Sequence, residues 1–209
     1  IMIIAAFTIL VSSCIALSQD ELKRRLAFST ISQLSYIVFG VAMLSSMGRL
    51  GGVIHILMHA FGKITLFFCA GAIFVATGKK YISQMKGLGR QMPVTFAAFF
   101  IGSLGVIGLP PTGGFYSKWN LILGTLEAGQ TGFMVVLLIS SFLNAFYFLP
   151  IVYQGFFGKP DDAPLNAPVA VREANLCLVV PLALTALASI ALFFFPQMFV
   201  DLIVLGLNL

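Results

Sequence analysis

The amino-acid sequence predicts an all-α membrane protein, a polytopic transmembrane helical bundle with one discontinuous helix. Three observations carry this. Apolar residues make up 59% of the chain and charged ones 9%, against about 25% charged in soluble domains. The apolar residues gather in six runs, at 1–17, 26–46, 51–77, 93–126, 131–157 and 175–196, long enough for the roughly 20 residues that cross the hydrocarbon. Lys and Arg segregate between alternate loops, as they do across a bilayer.

The first run opens Ile1-Met2 with no basic segment before it, so it does not read as a signal peptide. It begins as a helix met in mid-chain, and the expectation is that 1–209 is one transmembrane domain from the C-terminal part of a longer protein. Inverted-repeat transporters place a second broken helix in their other half. That copy would lie in a missing N-terminal half, making this chain the second half of such a fold.

The second run follows the charged cluster Asp20-Glu21-Leu22-Lys23-Arg24-Arg25 and carries Ser29, Ser32, Gln33 and Tyr36 at i, i+3, i+4 and i+7. This helical stripe either lines water leading inward or bonds neighbouring helices. Lys23 and Glu21, taken alone, read first as interfacial anchors.

The third run contains His55, His59 and Lys63, spaced i, i+4, i+8. At 100° per residue they drift only about 80° around the helix, and Lys63 lies about 12 Å deeper than His55. An ionisable group at that depth costs roughly 2.5 kcal/mol or more and persists where it faces protein or water. Imidazoles donate and accept protons near physiological pH, so the face reads as a proton wire, with interhelical packing as the alternative.

The fourth run is interrupted by Gly108, Pro110, Pro111, Gly113 and Gly114, which remove amide donors and admit non-helical angles. Its halves, about 93–107 and 115–126, are each too short to cross alone and suffice together. Non-helical backbone at membrane depth is tolerated inside protein or beside a wet cavity. Lys118 is expected in the first turn after the break, where a cation meets the unfavourable end of the helix dipole and can exchange a proton during a cycle.

Pro150 is expected to kink the fifth run, in which Asn144, Tyr147 and Tyr153 are too common in packing to assign. Asp161 and Asp162 read as solvated loop residues, Glu127 as a turn marker, and Asp201 as an interfacial residue in the apolar tail beyond Pro196.

With six spans, one side holds Lys23, Arg24, Arg25, Lys79, Lys80, Lys86, Arg90, Lys159 and Arg172, and the other holds Arg49 alone. Counting 93–126 as two spans would give seven against three, a poorer segregation. The loops at 18–25, 78–92 and 158–174 are then cytoplasmic and both termini outside. The formal charge of +5 reflects this bias and gives no sign of nucleic-acid binding. Cys14, Cys69 and Cys177 stand singly and read as small buried residues, with no metal or disulfide spacing. No cofactor motif occurs.

The segments ELKRRLAFSTISQLSYI at 21–37, HILMHAFGKITLFFCAGAI at 55–73, MKGLGRQMP at 85–93 and GLPPTGGFYSKW at 108–119 resemble the antiporter-like subunits of respiratory complex I, Mrp-type cation/proton antiporters and membrane-bound hydrogenases. The resemblance implies helices nine to fourteen of a core of about fourteen. It implies Lys118 as the broken-helix lysine at the outward end of a proton path, His55, His59 and Lys63 as the central relay, and Lys23 as the cytoplasmic input. Ser29 and Gln33 would support the path. Glu21 stands where many relatives have Asp, which keeps the carboxylate.

The expected function is therefore proton translocation by a membrane subunit of a multisubunit pump or antiporter, in a bacterial plasma membrane, with lipid, protons and other membrane subunits as partners. Oxidoreductase activity would belong to those partners. Two alternatives stay open: a Na⁺/H⁺ antiporter subunit, for which the sequence offers no mid-membrane carboxylate to supply hard oxygen ligands, and a non-transporting structural subunit.

Overall fold

A computed structural model of the chain describes residues 1–159 and 172–207; the expectation for Asp161 and Asp162 lies outside them. Among the described residues eight α-helices follow one another: α1 (Met2–Ser18), α2 (Leu22–Ala42), α3 (Ser46–Thr77), α4 (Pro93–Ile107), α5 (Gly113–Glu127), α6 (Thr131–Phe157), α7 (Leu176–Phe194) and α8 (Gln197–Leu207). Short 3-10 turns at Ile82–Met85 and Leu88–Arg90 join α3 to α4. No strand occurs among the described residues beyond one isolated bridge between Glu21 and Tyr81.

The helices α3, α6 and α7 are each long and apolar enough to cross a membrane. At 32 residues, α3 extends about 48 Å at 1.5 Å per residue, well beyond a hydrocarbon core of about 30 Å. It starts at Ser46, ahead of the expected residue 51, because its amides find caps there. Ser45 Oγ accepts from Gly48 N at 3.1 Å, and the Glu127 carboxylate accepts from Met47 N at 2.9 Å. Glu127 is thus a helix cap delivered from the far end of α5, more than a turn marker.

The start of α2 likewise lies ahead of its apolar run, in the charged cluster at Leu22. Leu22 N donates to Lys80 O at 3.1 Å and Ile82 N to Asp20 O at 2.8 Å, so pairing with the 80–82 segment sets this end. The Asp20 carboxylate also accepts from Ser83 N and Oγ, at 3.1 and 2.7 Å.

Contacts sort the helix ends into two groups. At one end lie residues 18–22, 78–92 and the end of α6: Gly87 N donates to Gln154 O at 3.0 Å, and Arg90 Nε to Phe156 O at 2.7 Å. At the other, Ile1, Ala42, Leu44, Gln130 and Phe133 border one hollow. The pair α4 and α5 runs from the first end to the second and crosses once. The described residues among Lys23, Arg24, Arg25, Lys79, Lys80, Lys86, Arg90, Lys159 and Arg172 are at the first end, and Arg49 is in the first turns of α3 at the second.

Beyond Pro196 the tail forms α8, packed on α3 and α7 through Leu50, Ile54, Leu192 and Val200. Asp201 is exposed there and accepts from Gln197 Nε2 at 2.9 Å. Of the cysteines, Cys69 is buried, while Cys14 and Cys177 are exposed. The expectation of three buried cysteines is corrected, because positions 14 and 177 lie on outward helix faces.

Candidate functional site

The site is built around the interruption between α4 and α5. Gly108 caps α4 with φ 88°, a left-handed angle that costs glycine little, and donates its amide to Leu104 O at 2.8 Å. Leu109, the cis-linked pair Pro110-Pro111 and Thr112 complete the break. Gly113 and Gly114 are not part of it, which corrects the sequence expectation. They form the first turn of α5 and are needed for close approach: a Cβ on Gly114 would collide with the Gly105 carbonyl oxygen of α4, and one on Gly113 with Met58 Sδ of α3.

In a continuous helix the amides of residues 110 and 111 would serve the carbonyls of Val106 and Ile107. Two prolines cannot, and a buried carbonyl seeks another donor. Side chains take both places. Asn144 Nδ2 of α6 approaches Val106 O at 3.5 Å, and Lys118 Nζ donates to Ile107 O at 3.0 Å. The Asn144 Oδ1 in turn accepts from the Tyr147 hydroxyl. Asn144, which sequence reading left unassigned, therefore helps to complete the broken helix, and Tyr147, likewise unassigned, holds it there.

Lys118 is the sixth residue of α5, in its second turn, where the sequence predicted the first. Its buried side chain reaches back to the C-terminal end of α4, and this reverses the expected electrostatics. The ammonium faces the carbonyl end of one helix dipole, which favours a cation, instead of the amide end of another. It also donates to Ser141 Oγ at 3.1 Å and lies 4.7 Å from the Tyr36 ring centre, within cation–π range. A crevice of about 310 Å³ with a mostly apolar lining, including Phe142 and Trp119, borders the same lysine.

From Lys118 the polar groups continue inward through aromatic rings. Tyr36 stacks on His55 at 5.6 Å, and His55 on His59 at 5.6 Å. The Tyr36 hydroxyl donates to Leu137 O at 3.2 Å, and His55 Nδ1 lies 2.8 Å from Ser117 Oγ. Both histidines are buried. His55 Nε2, both nitrogens of His59 and both amide atoms of Gln33 find no partner among the described residues. Buried polar atoms in proteins are nearly always bonded to protein or ordered water, so this stretch has the polarity to hold water.

Lys63 turns away from the histidines towards α2. Its ammonium donates to Leu26 O at 3.0 Å and to Ser29 Oγ, and lies 5.5 Å from the Phe148 ring centre. The α2 stripe divides its tasks. Ser29 holds Lys63, while Ser32 bonds Ile9 O at 3.1 Å and Ser13 Oγ at 2.9 Å, tying α2 to α1. Tyr36 bonds α6, and the buried Gln33 amide has no bond among the described residues.

Lys23 is set apart from this series. It is exposed, with Nζ 5.1 Å from the ring centre of Phe74, which Lys80 Nζ also approaches, at 5.5 Å. With Glu21, Lys79 and Lys80 it borders a hollow of about 250 Å³ at the basic end of the bundle.

Several residues here carry no local sequence signal. Arg25 reads as an interfacial anchor, yet its guanidinium donates to Gln19 O and to Tyr147 O, each at 2.9 Å, joining α1, α2 and α6. Glu173, just ahead of α7, caps α4, accepting from Val94 N at 2.6 Å and Thr95 Oγ1 at 2.7 Å. Ser117 and Ser141 are two more. Their adjacency to known candidates, Lys118 and the Asn144 helix, is the only hint a sequence offers.

Comparison with known proteins gives a consistent picture. Residues 1–144 match the family model described as NADH:quinone oxidoreductase/Mrp antiporter, TM. NADH-quinone oxidoreductase subunit N of Desulforudis audaxviator is 37% identical over 205 residues, covering 94% of this chain and 41% of that protein. Subunit L of Buchnera aphidicola is 36% identical over 191 residues, covering 90% and 29%. A chain of the Mrp complex from Dietzia sp. DQ12-45-1b superposes with a TM-score of 0.88 at 26% identity, over 97% of this chain and 45% of its own length. A chain of respiratory complex I from Thermus thermophilus shares the fold, with a TM-score of 0.83 at 24% identity over 95% of this chain and 41% of its own. The chain spans less than half the length of these curated relatives.

Proposed function

Since the chain belongs to the NADH:quinone oxidoreductase/Mrp antiporter transmembrane family, we propose that it is a proton-translocating membrane subunit of a multisubunit complex. Protons pass from the basic end by way of Lys23 and Glu21 to Lys63, then along His59 and His55 to Lys118. The observation that carries this reading is the buried polar series from Ser29 and Lys63 to Ser117 and Lys118, in which three histidine nitrogens and the Gln33 amide have no partner among the described residues. Water in that stretch would join donors and acceptors that do not touch. Intramembrane ionisable groups arranged this way mark ion paths.

The excess of Lys and Arg supports a cytoplasmic position for the basic end, in a bacterial plasma membrane, with coupling energy supplied by other membrane subunits. Proton transport is preferred to Na⁺ exchange within this chain because the buried charged side chains among the described residues are Lys63 and Lys118. A hard cation takes oxygen ligands, carboxylates foremost.

The test is proton uptake into vesicles carrying the full-length protein in its native complex, comparing wild type with Lys118→Ala at matched assembly. Loss of uptake supports the reading. Unchanged uptake returns the broken helix to a structural role and favours a non-transporting subunit.

A further inference from the structure

We infer that Ser117 is a positioning residue that fixes the tautomer of His55, with the ring proton on Nδ1 and Nε2 left as the accepting atom. Ser117 Oγ has two partners: the Gly114 carbonyl oxygen at 3.0 Å and His55 Nδ1 at 2.8 Å. A hydroxyl owns one proton, and a carbonyl can only accept. Both short contacts can be hydrogen bonds at once in one way only, with the Ser117 proton on Gly114 O, a back-bond that helical serines commonly make. What remains on Ser117 Oγ towards His55 is a lone pair, so His55 Nδ1 must donate.

The surroundings hold this arrangement. The His55 ring is stacked with both Tyr36 and His59, at interplanar angles of 24° and 17°, which disfavours turning it over. Gly114, whose carbonyl anchors Ser117, is pressed against Gly105, so the acceptor is set by the close approach of α5 to α4. His55 Nε2 is buried and has no partner among the described residues. A proton reaching His55 is received at Nε2, because Nδ1 already carries one. The ring nitrogen that bears the proton in a neutral imidazole is decided by what the other bonds, and here that decision rests with a hydroxyl one residue before Lys118.

The tautomer follows from the hydrogen bonds alone; its role in transport rests on the proton-path reading above. The experiment uses the intact complex in lipid vesicles with this subunit alone carrying ¹⁵N-histidine. His55 resonances are assigned by difference against His55→Gln. Wild type is expected to show His55 protonated at Nδ1 and unprotonated at Nε2. Ser117→Ala is expected to move the Nε2 resonance into the protonated region and to lower proton uptake at matched assembly. Ser117→Thr, which keeps the hydroxyl, is expected to restore both.

An Nε2-protonated ring in wild type, or a tautomer indifferent to Ser117→Ala, would overturn the inference. So would a tautomer that shifts with no change in uptake. Failure of the path reading is seen separately, as undiminished uptake in Lys118→Ala.

Discussion

The Lys118 ammonium lies 3.0 Å from the carbonyl oxygen of Ile107, the oxygen that residue 111 would serve if it were not proline. A side chain on one half of the crossing thereby completes the hydrogen bonding of the other half. The same lysine is the residue on which the proposed path ends, so the helix break and the path share an atom.

Returning an amide hydrogen to residue 111 should set up a competitor for the Ile107 oxygen. In Pro111→Ala, proton uptake by the assembled complex is expected to fall, whereas Pro110→Ala, which concerns the Val106 oxygen and Asn144, should affect it less. Equal uptake in wild type and Pro111→Ala would show that Lys118 does not depend on that vacancy.

Two of the serines of α2, Ser29 and Ser32, offer a direct contrast. Ser29→Ala removes the hydroxyl that Lys63 grips and is expected to reduce uptake with assembly intact. Ser32→Ala breaks only the α1–α2 tie and should lower thermal stability by about 1 kcal/mol while transport is kept. The idea fails if the two variants transport alike.

Close approach at the break predicts intolerance of a single methyl group. Gly114→Ala drives a Cβ into backbone at Gly105, and is expected to cost roughly 1–3 kcal/mol or more, as overpacking does. Gly71→Ala in α3, where the added Cβ meets open space, should be neutral or stabilising by up to about 1 kcal/mol, as replacing a helical glycine commonly is. Thermal unfolding of the two variants in detergent checks the ordering.

Removing the Glu173 carboxylate should loosen the first turn of α4. Glu173→Ala is expected to cost about 0.5–2 kcal/mol, the range for a lost N-terminal cap, and to speed hydrogen exchange at the Val94 and Thr95 amides. Exchange unchanged at those two positions would mean that Pro93 alone suffices to start the helix.

The all-α membrane class and the interrupted crossing are legible in the sequence because both rest on large, local costs: charge at depth, and prolines that cannot donate. The reach of a side chain is not local. Lys118 sits near the start of α5 in sequence and at the end of α4 in space, which is why its dipole environment comes out opposite to that expected from position. Glu127 and Glu173 cap helices about 80 residues away in sequence, and Arg25 bonds a carbonyl 122 residues on. No periodicity encodes such pairs. Gly113 and Gly114 look like breakers by type, and only the packing of α5 against α3 and α4 reveals that their size matters more than their flexibility.

The paired prolines also limit what this crossing can become. A helix interrupted by glycine or by water can anneal when conditions change; this one has no straightened state, since neither nitrogen can ever offer a hydrogen. Each time the Lys118 side chain swings away, the Ile107 oxygen loses its donor with no backbone group in reserve, and a buried carbonyl left bare is costly. Departure of the lysine is thus tied to the arrival of something else, and in this polar setting the smallest candidate is a water molecule. Wetting of the joint and motion of the lysine become two sides of a single event.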